Sequence, residues 1–107
     1  MPKSLRSKAC DIPRKVKIAV GDRDRYTCVL CKRPGIPDAH YVPRSAGGLG
    51  IEENVVCLCP ACHKDYDNGY HRELNLRSLL GERISHYLRS IYPNWDRENL
   101  IYRKEDY

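Results

Sequence analysis

The sequence predicts an α+β fold organised around a metal site, and three observations carry that expectation. Two Cys-x-x-Cys pairs, Cys28 with Cys31 and Cys59 with Cys62, bracket the middle of the chain. Between them lie two short β-prone segments, residues 39–42 and 54–58, joined by the glycine-rich stretch PRSAGGLGIEE. On either side, apolar residues recur at helical spacing.

The 107 residues suit a single domain over 11–107, preceded by a flexible basic tail over 1–10. Asp11 sits where an N-cap could, Pro13 suits a first turn, and Val16, Ala19 and Val20 share a face, so a helix is expected from about Pro13 to Asp22. YTCVLCKRPG reads as a turn-rich hairpin around the first cysteine pair. After the two strands, Pro60 opens a helix through ACHKDYD that stops at Asn68 and Gly69. Leu76, Leu80, Ile84, Tyr87, Leu88 and Ile91 form the stripe of a packing helix closed by Pro93, within a helical cover over 72–107. Asp96 can cap a short last turn.

Nineteen Lys and Arg against fourteen Asp and Glu give a formal charge of +5, which favours a polyanionic partner over a neutral one. Four thiolates around one Zn²⁺ would take two charges from that sum, and a second divalent ion would restore them. Eight tyrosines, one tryptophan and no phenylalanine supply rings with a polar handle, suited to half-buried or binding positions. No apolar run approaches the ~20 residues of a membrane span. The basic start is not followed by a hydrophobic segment, as a secretory signal would be. The expected location is therefore the cytoplasm of a bacterial host cell, where paired cysteines hold metal more often than they form disulfides.

Two residues between sulfurs let both reach one tetrahedral ion at ~2.3 Å, and two such knuckles complete four-coordination. Cys28, Cys31, Cys59 and Cys62 are thus expected to hold one structural Zn²⁺ and to support a core that length alone leaves marginal. Cys57 reads as a small buried apolar residue and Cys10 as incidental. Disulfides, ordinary buried cysteines and a redox dithiol are the competing readings of the pairs.

The residues between the knuckles, H-x-x-P-R-S-x-G-G followed by E-N-x-x-x-L-C-x-x-C-H, resemble the HNH endonuclease family over about residues 24–68. The closing YPNWDRENLIYRK is similar to the tails of small HNH proteins of phages and prophages. The resemblance implies a ββα-metal (His-Me finger) unit with a structural zinc knuckle pair. It also implies a hydrolase that cuts DNA phosphodiester bonds, nicking duplex DNA with low sequence specificity. By position, His40 matches the general base, Asn54 the residue that holds the loop and orients the base, and His63 the helix ligand of a catalytic divalent ion (Mg²⁺, Mn²⁺ or Ni²⁺). An imidazole of pKa ~6.5 can take a proton from water near neutral pH.

The family places a His or Asp ligand directly before the base, where this chain has Ala39. Asp67, one helical turn after His63, is the preferred replacement; Asp38 is the second candidate and His71 a more distant one. Ala39→Asp is expected to keep or raise activity by adding a hard oxygen ligand. Arg44, Lys64, Lys32 and Arg33 are the candidate DNA contacts. No segment looks like a major-groove reading helix, so base preference is expected to be low or supplied by a protein partner. The sequence leaves oligomeric state open. The competing reading is a non-catalytic, zinc-stapled DNA-binding or phage assembly module.

Overall fold

The computed structural model describes residues 4–68 and 76–104. Helices α1 (Leu5–Cys10) and α2 (Arg14–Asp24) precede strand β1 (Ile36–His40), followed by β2 (Val55–Leu58), α3 (Pro60–Asn68) and α4 (Leu76–Ile91). The chain is a mixed structure of helices around a small two-stranded sheet.

The antiparallel hairpin sets Ile36 against Leu58, Ala39 against Val56 and His40 against Val55, with a bulge between the first two pairs. All four β2 residues are buried, because alternation sends their side chains to two separate cores. Val56, Leu58 and Ala39 pack with Tyr66 of α3 and Ile84 and Leu88 of α4. Val55 and Cys57 pack the other way, against Val16 and Val20 of α2. A strand covered on both faces has no polar positions to alternate, hence the unbroken VVCL. Burial pushes the Cys57 thiol up to about 12, in keeping with an apolar role.

The first strand starts and ends earlier than the sequence suggests. Tyr41 still donates to the Asn54 carbonyl at 2.7 Å. Val42, however, donates its N–H to Asn54 Oδ1 (2.8 Å), and its carbonyl accepts from Asn54 Nδ2 (3.1 Å), so a side chain replaces the ladder there. Upstream, Pro37 is tolerated because β1 is an edge strand. α2 takes Pro13, not Asp11, as its N-cap and continues two residues further, to a left-handed Arg25. The knuckle hairpin forms as expected, with Cys28 N–H donating to Arg33 O at 2.7 Å.

Residues 5–10, expected as tail, are instead the helix α1, capped by Ser4. Their signal is weak because the helix is one and a half turns long and only Cys10 is buried. The segment is anchored by Gly50 N–H on Ala9 O (3.0 Å) and by Arg6 on the carbonyls of Arg44 (3.3 Å) and Ser45 (3.1 Å). At the other end, Asp96 caps a 3₁₀ turn (Arg97–Leu100). Beyond it, Leu49 N–H on Leu100 O (2.8 Å) and Tyr102 N–H on Gly47 O (2.7 Å) strap the closing segment to the glycine loop.

One buried carboxylate joins three elements. Asp24, at the end of α2, accepts from Cys57 N–H on β2 (2.9 Å), from Arg23 Nε (2.7 Å) and from the Tyr87 hydroxyl on α4. Arg23 in turn donates to Val55 O at 2.7 Å. Asp24→Ala strands the guanidinium and a buried N–H, so a loss of about 3–5 kcal/mol is expected in urea denaturation. An unchanged midpoint would show that the network is dispensable.

Candidate functional site

The two knuckles converge. Cys28 and Cys31 come from the hairpin turn, Cys59 from the end of β2 and Cys62 from the first turn of α3, and their sulfurs all lie within 4.8 Å of one another. A tetrahedral ion with ~2.3 Å bonds needs sulfurs ~3.8 Å apart, which this spacing fits; Cys31 and Cys59 are already 3.5 Å apart. The cluster could hold a structural metal such as zinc. Burial opposes ionisation of Cys28, yet backbone N–H groups of Cys59, Cys31 and Leu30 hold its thiol down at about 7. Burial and the neighbouring sulfurs push Cys62 up instead. The backbone N–H of Cys62 lowers the Cys59 thiol as well, so the set favours thiolate at Cys28 and Cys59 and resists it at Cys62, a resistance that a divalent cation would relieve.

Beside the cluster runs a groove of about 680 Å³ lined by Asp38, His40, Pro43, Arg44, Ser45, His63, Asp67 and Arg77. His63, on α3, stands between two carboxylates: Nε2 is 3.1 Å from Asp67 Oδ2, and Nδ1 is 3.6 Å from Asp38 Oδ1. The first is a close contact between groups one helical turn apart, and the second is too long for a hydrogen bond. Asp38 Oδ1 is buried with no hydrogen-bond partner, an oxygen short of a cation or donor. Because the carboxylates face opposite ring nitrogens, an ion bound by His63 as it stands meets one of them, not both.

His40 Nε2 lies 2.8 Å from the Cys10 carbonyl. A carbonyl only accepts, so Nε2 carries the proton and Nδ1 keeps its lone pair. Burial lowers the His40 pKa from its ordinary value, opposed by the Cys10 carbonyl and assisted by the Arg44 charge. Asn54 is fully buried, and besides Val42 it donates to Leu49 O at 2.8 Å, tying the loop that carries Arg44 to the start of β2. The loop can close this tightly because Gly48 passes the Val42 carbonyl where a Cβ would lie 1.7 Å from the oxygen, and Gly47 takes φ +82°.

The groove thus gathers His40, His63, Asp38, Asp67 and Arg44. Lys64 on α3 and Lys32 and Arg33 on the knuckle are exposed but lie outside its lining. His71 is outside the described residues. The structure speaks against the premise of Ala39→Asp: Ala39 is 1% exposed and packs among Cys28, Leu58, Ile84 and Leu88, so an acid there enters the core, not the groove. Two contributors carried no sequence signal. The Cys10 carbonyl is a backbone group, and Arg77 reads as an ordinary solvated helix residue. Yet Arg77 covers the Tyr66 ring at 4.6 Å and donates to Tyr66 O (3.0 Å) at the end of α3.

No protein-family model matches the chain, and no solved structure matches it. Among curated proteins, anaredoxin of Nostoc sp. is 34% identical over 61 residues, which span 52% of this chain and 76% of the relative. With that identity over most of the relative's length, the chain belongs to the same family as anaredoxin.

Proposed function

We propose that this chain is a metal-dependent endonuclease that hydrolyses DNA phosphodiester bonds, nicking duplex DNA with little base preference. In this reading β1, β2 and α3 form a ββα-metal unit of the HNH type. The observation that carries it is the groove, where an imidazole with a fixed tautomer faces a second imidazole flanked by two carboxylates, with Arg44 and Arg77 at the rim.

His40 acts as general base. With Nε2–H committed to the Cys10 carbonyl, Nδ1 is the nitrogen that takes the proton from water, and burial keeps the ring neutral for that task. Asp67 lies 3.1 Å from Nε2 of His63, which leaves Nδ1 and the unsatisfied Asp38 oxygen as the natural ligand pair. A divalent ion there would neutralise charge on the phosphate and the leaving oxygen. This favours Asp38 as the oxygen ligand, with Asp67 as the residue that orients His63. Arg44 and Arg77 bind the phosphate, and Asn54 keeps the loop geometry fixed.

Supercoiled plasmid incubated with the protein and Mg²⁺, Mn²⁺ or Ni²⁺ should become nicked. His40→Ala should abolish nicking while still binding DNA. The neutral imidazole is the active form, and burial lowers its pKa, so the rate should hold its plateau down through pH 6.5 and fall only below it. The same shift makes protonating His40 harder in the fold than in the unfolded chain, so stability is lost as pH falls through that window. Plasmid left intact with every metal would favour the non-catalytic DNA-binding or assembly module. A rate already halved above pH 6.5 would remove His40 as the base.

A second reading attaches to the cysteines. The relative's name contains "redoxin", and four thiolates at one point suit iron as well as zinc. Iron with visible absorption in the purified protein would support a redox centre; colourless protein with zinc would exclude it.

A further inference from the structure

We propose a second binding subsite for the same DNA, a trough beside the groove that grips the phosphodiester backbone away from the cleaved bond; it rests on the nuclease reading. The trough, about 410 Å³, is lined by Tyr41, Pro43, Tyr66, Arg77, Arg89 and Arg97 among others. It shares Pro43 and Arg77 with the groove, so the two are continuous. On the groove's far side, a third depression holds Lys17 and Asp11 and shares Asp38, His40 and Arg44 with it. Cations therefore flank the reactive residues on both sides, with Arg89 and Arg97 beyond Arg77 on one and Lys17 beyond Arg44 on the other.

Three features point to phosphates as the ligand. Arg89 and Arg97 are exposed, and no ion pair joins either to a carboxylate among the described residues. Glu82 is the acidic residue in the lining, against three arginines. Two guanidiniums are braced on rings, Arg77 over Tyr66 at 4.6 Å and Arg89 over Trp95 at 5.5 Å, which reduces the freedom lost on gripping an anion. The rings themselves are engaged. Tyr41 packs edge-on against Trp95 at 5.6 Å, and the Tyr66 hydroxyl donates to Tyr41 O at 2.5 Å. The trough offers charge without a free aromatic platform, which suits a duplex backbone and not splayed bases.

The test is fluorescence anisotropy of a labelled duplex, in a His40→Ala background without added divalent ion. Arg89→Gln with Arg97→Gln should weaken binding about tenfold or more at low salt. The double change should also reduce the slope of log affinity against log salt by about 1.8, at about 0.9 per phosphate contact. Lysine at both positions should recover most of the affinity, since the attraction is one of charge. Lys32→Gln with Arg33→Gln, on the knuckle, should change it less than twofold. Glutamine variants that bind like the parent overturn the subsite. So does failure of the lysine pair to rescue, which would trace the loss to packing of Arg89 on Trp95. Parent protein that binds no duplex also overturns it. Wild-type protein that binds through these arginines but never nicks plasmid ends the nuclease reading and leaves the subsite standing.

Discussion

Replacing Cys28 or Cys62 with serine should leave a chain that does not fold, and purified wild-type protein should carry about one zinc per chain. The sulfurs join the hairpin turn, the end of β2 and the start of α3. Arg83 adds a tie from α4 by donating to Leu30 O at 2.8 Å, so the knuckle is also fastened to the packing helix. Structural zinc contributes about 10–16 kcal/mol to folding in small domains. That is as large as the whole ~5–15 kcal/mol stability of an ordinary domain. Cys28 is fully buried, and its sulfur sits among backbone N–H groups and three other cysteines at the edge of the apolar core, a polar pocket that the ion would fill. Circular dichroism and metal analysis decide the matter. A Cys28→Ser protein that melts cooperatively at the wild-type temperature, or wild-type protein without bound metal, would end the argument for a staple.

Asp38→Ala should reduce nicking to background, a loss on the order of a thousandfold or more. Asp67→Asn should cost only about 10–100-fold, as expected for a residue that orients a ligand. The distinction comes from His63, whose Nε2 already lies 3.1 Å from Asp67 while the Asp38 oxygen facing Nδ1 is unsatisfied. Nicking rate against Mn²⁺ concentration separates the roles. The Asp67→Asn curve should shift to higher metal and approach the wild-type plateau, whereas the Asp38→Ala curve should stay flat. Both variants should keep their metal content at the cysteines and their melting temperature, because the cluster is separate from the groove. If Asp38→Ala cuts normally and Asp67→Asn is dead at every concentration, the two carboxylates exchange roles.

The cysteine cluster was legible because its chemistry is local: each pair sits on one turn, and the shared spacing suits sulfurs that could hold one ion. The α2, α3 and α4 helices followed from capping residues and apolar periodicity, and the hairpin from β-branched residues around a glycine loop. Helical spacing brought Asp67 to His63 but could not say which nitrogen it would meet. Strand alternation, applied to residues 38–40, would have sent Ala39 away from Asp38 and His40 and into the core. No residue type discloses that the Cys10 carbonyl holds His40, since every residue has such a group to offer. Val42 shows the reverse case, where a side-chain amide rather than backbone ladder ends a strand.

The contact between His40 and the Cys10 carbonyl makes this site less portable than its motif. Among the described residues, every side chain lining the groove except Arg77 falls between Asp38 and Asp67, a piece short enough to transplant into another scaffold. Such a graft would bring the imidazole but not the carbonyl 30 positions upstream that selects its tautomer. It would also leave behind the Asp11 carboxylate that pairs with Arg44 at 2.8 Å. The smallest heritable unit of this chemistry is therefore larger than its signature, and a shuffled copy would need the leading helix to travel with it.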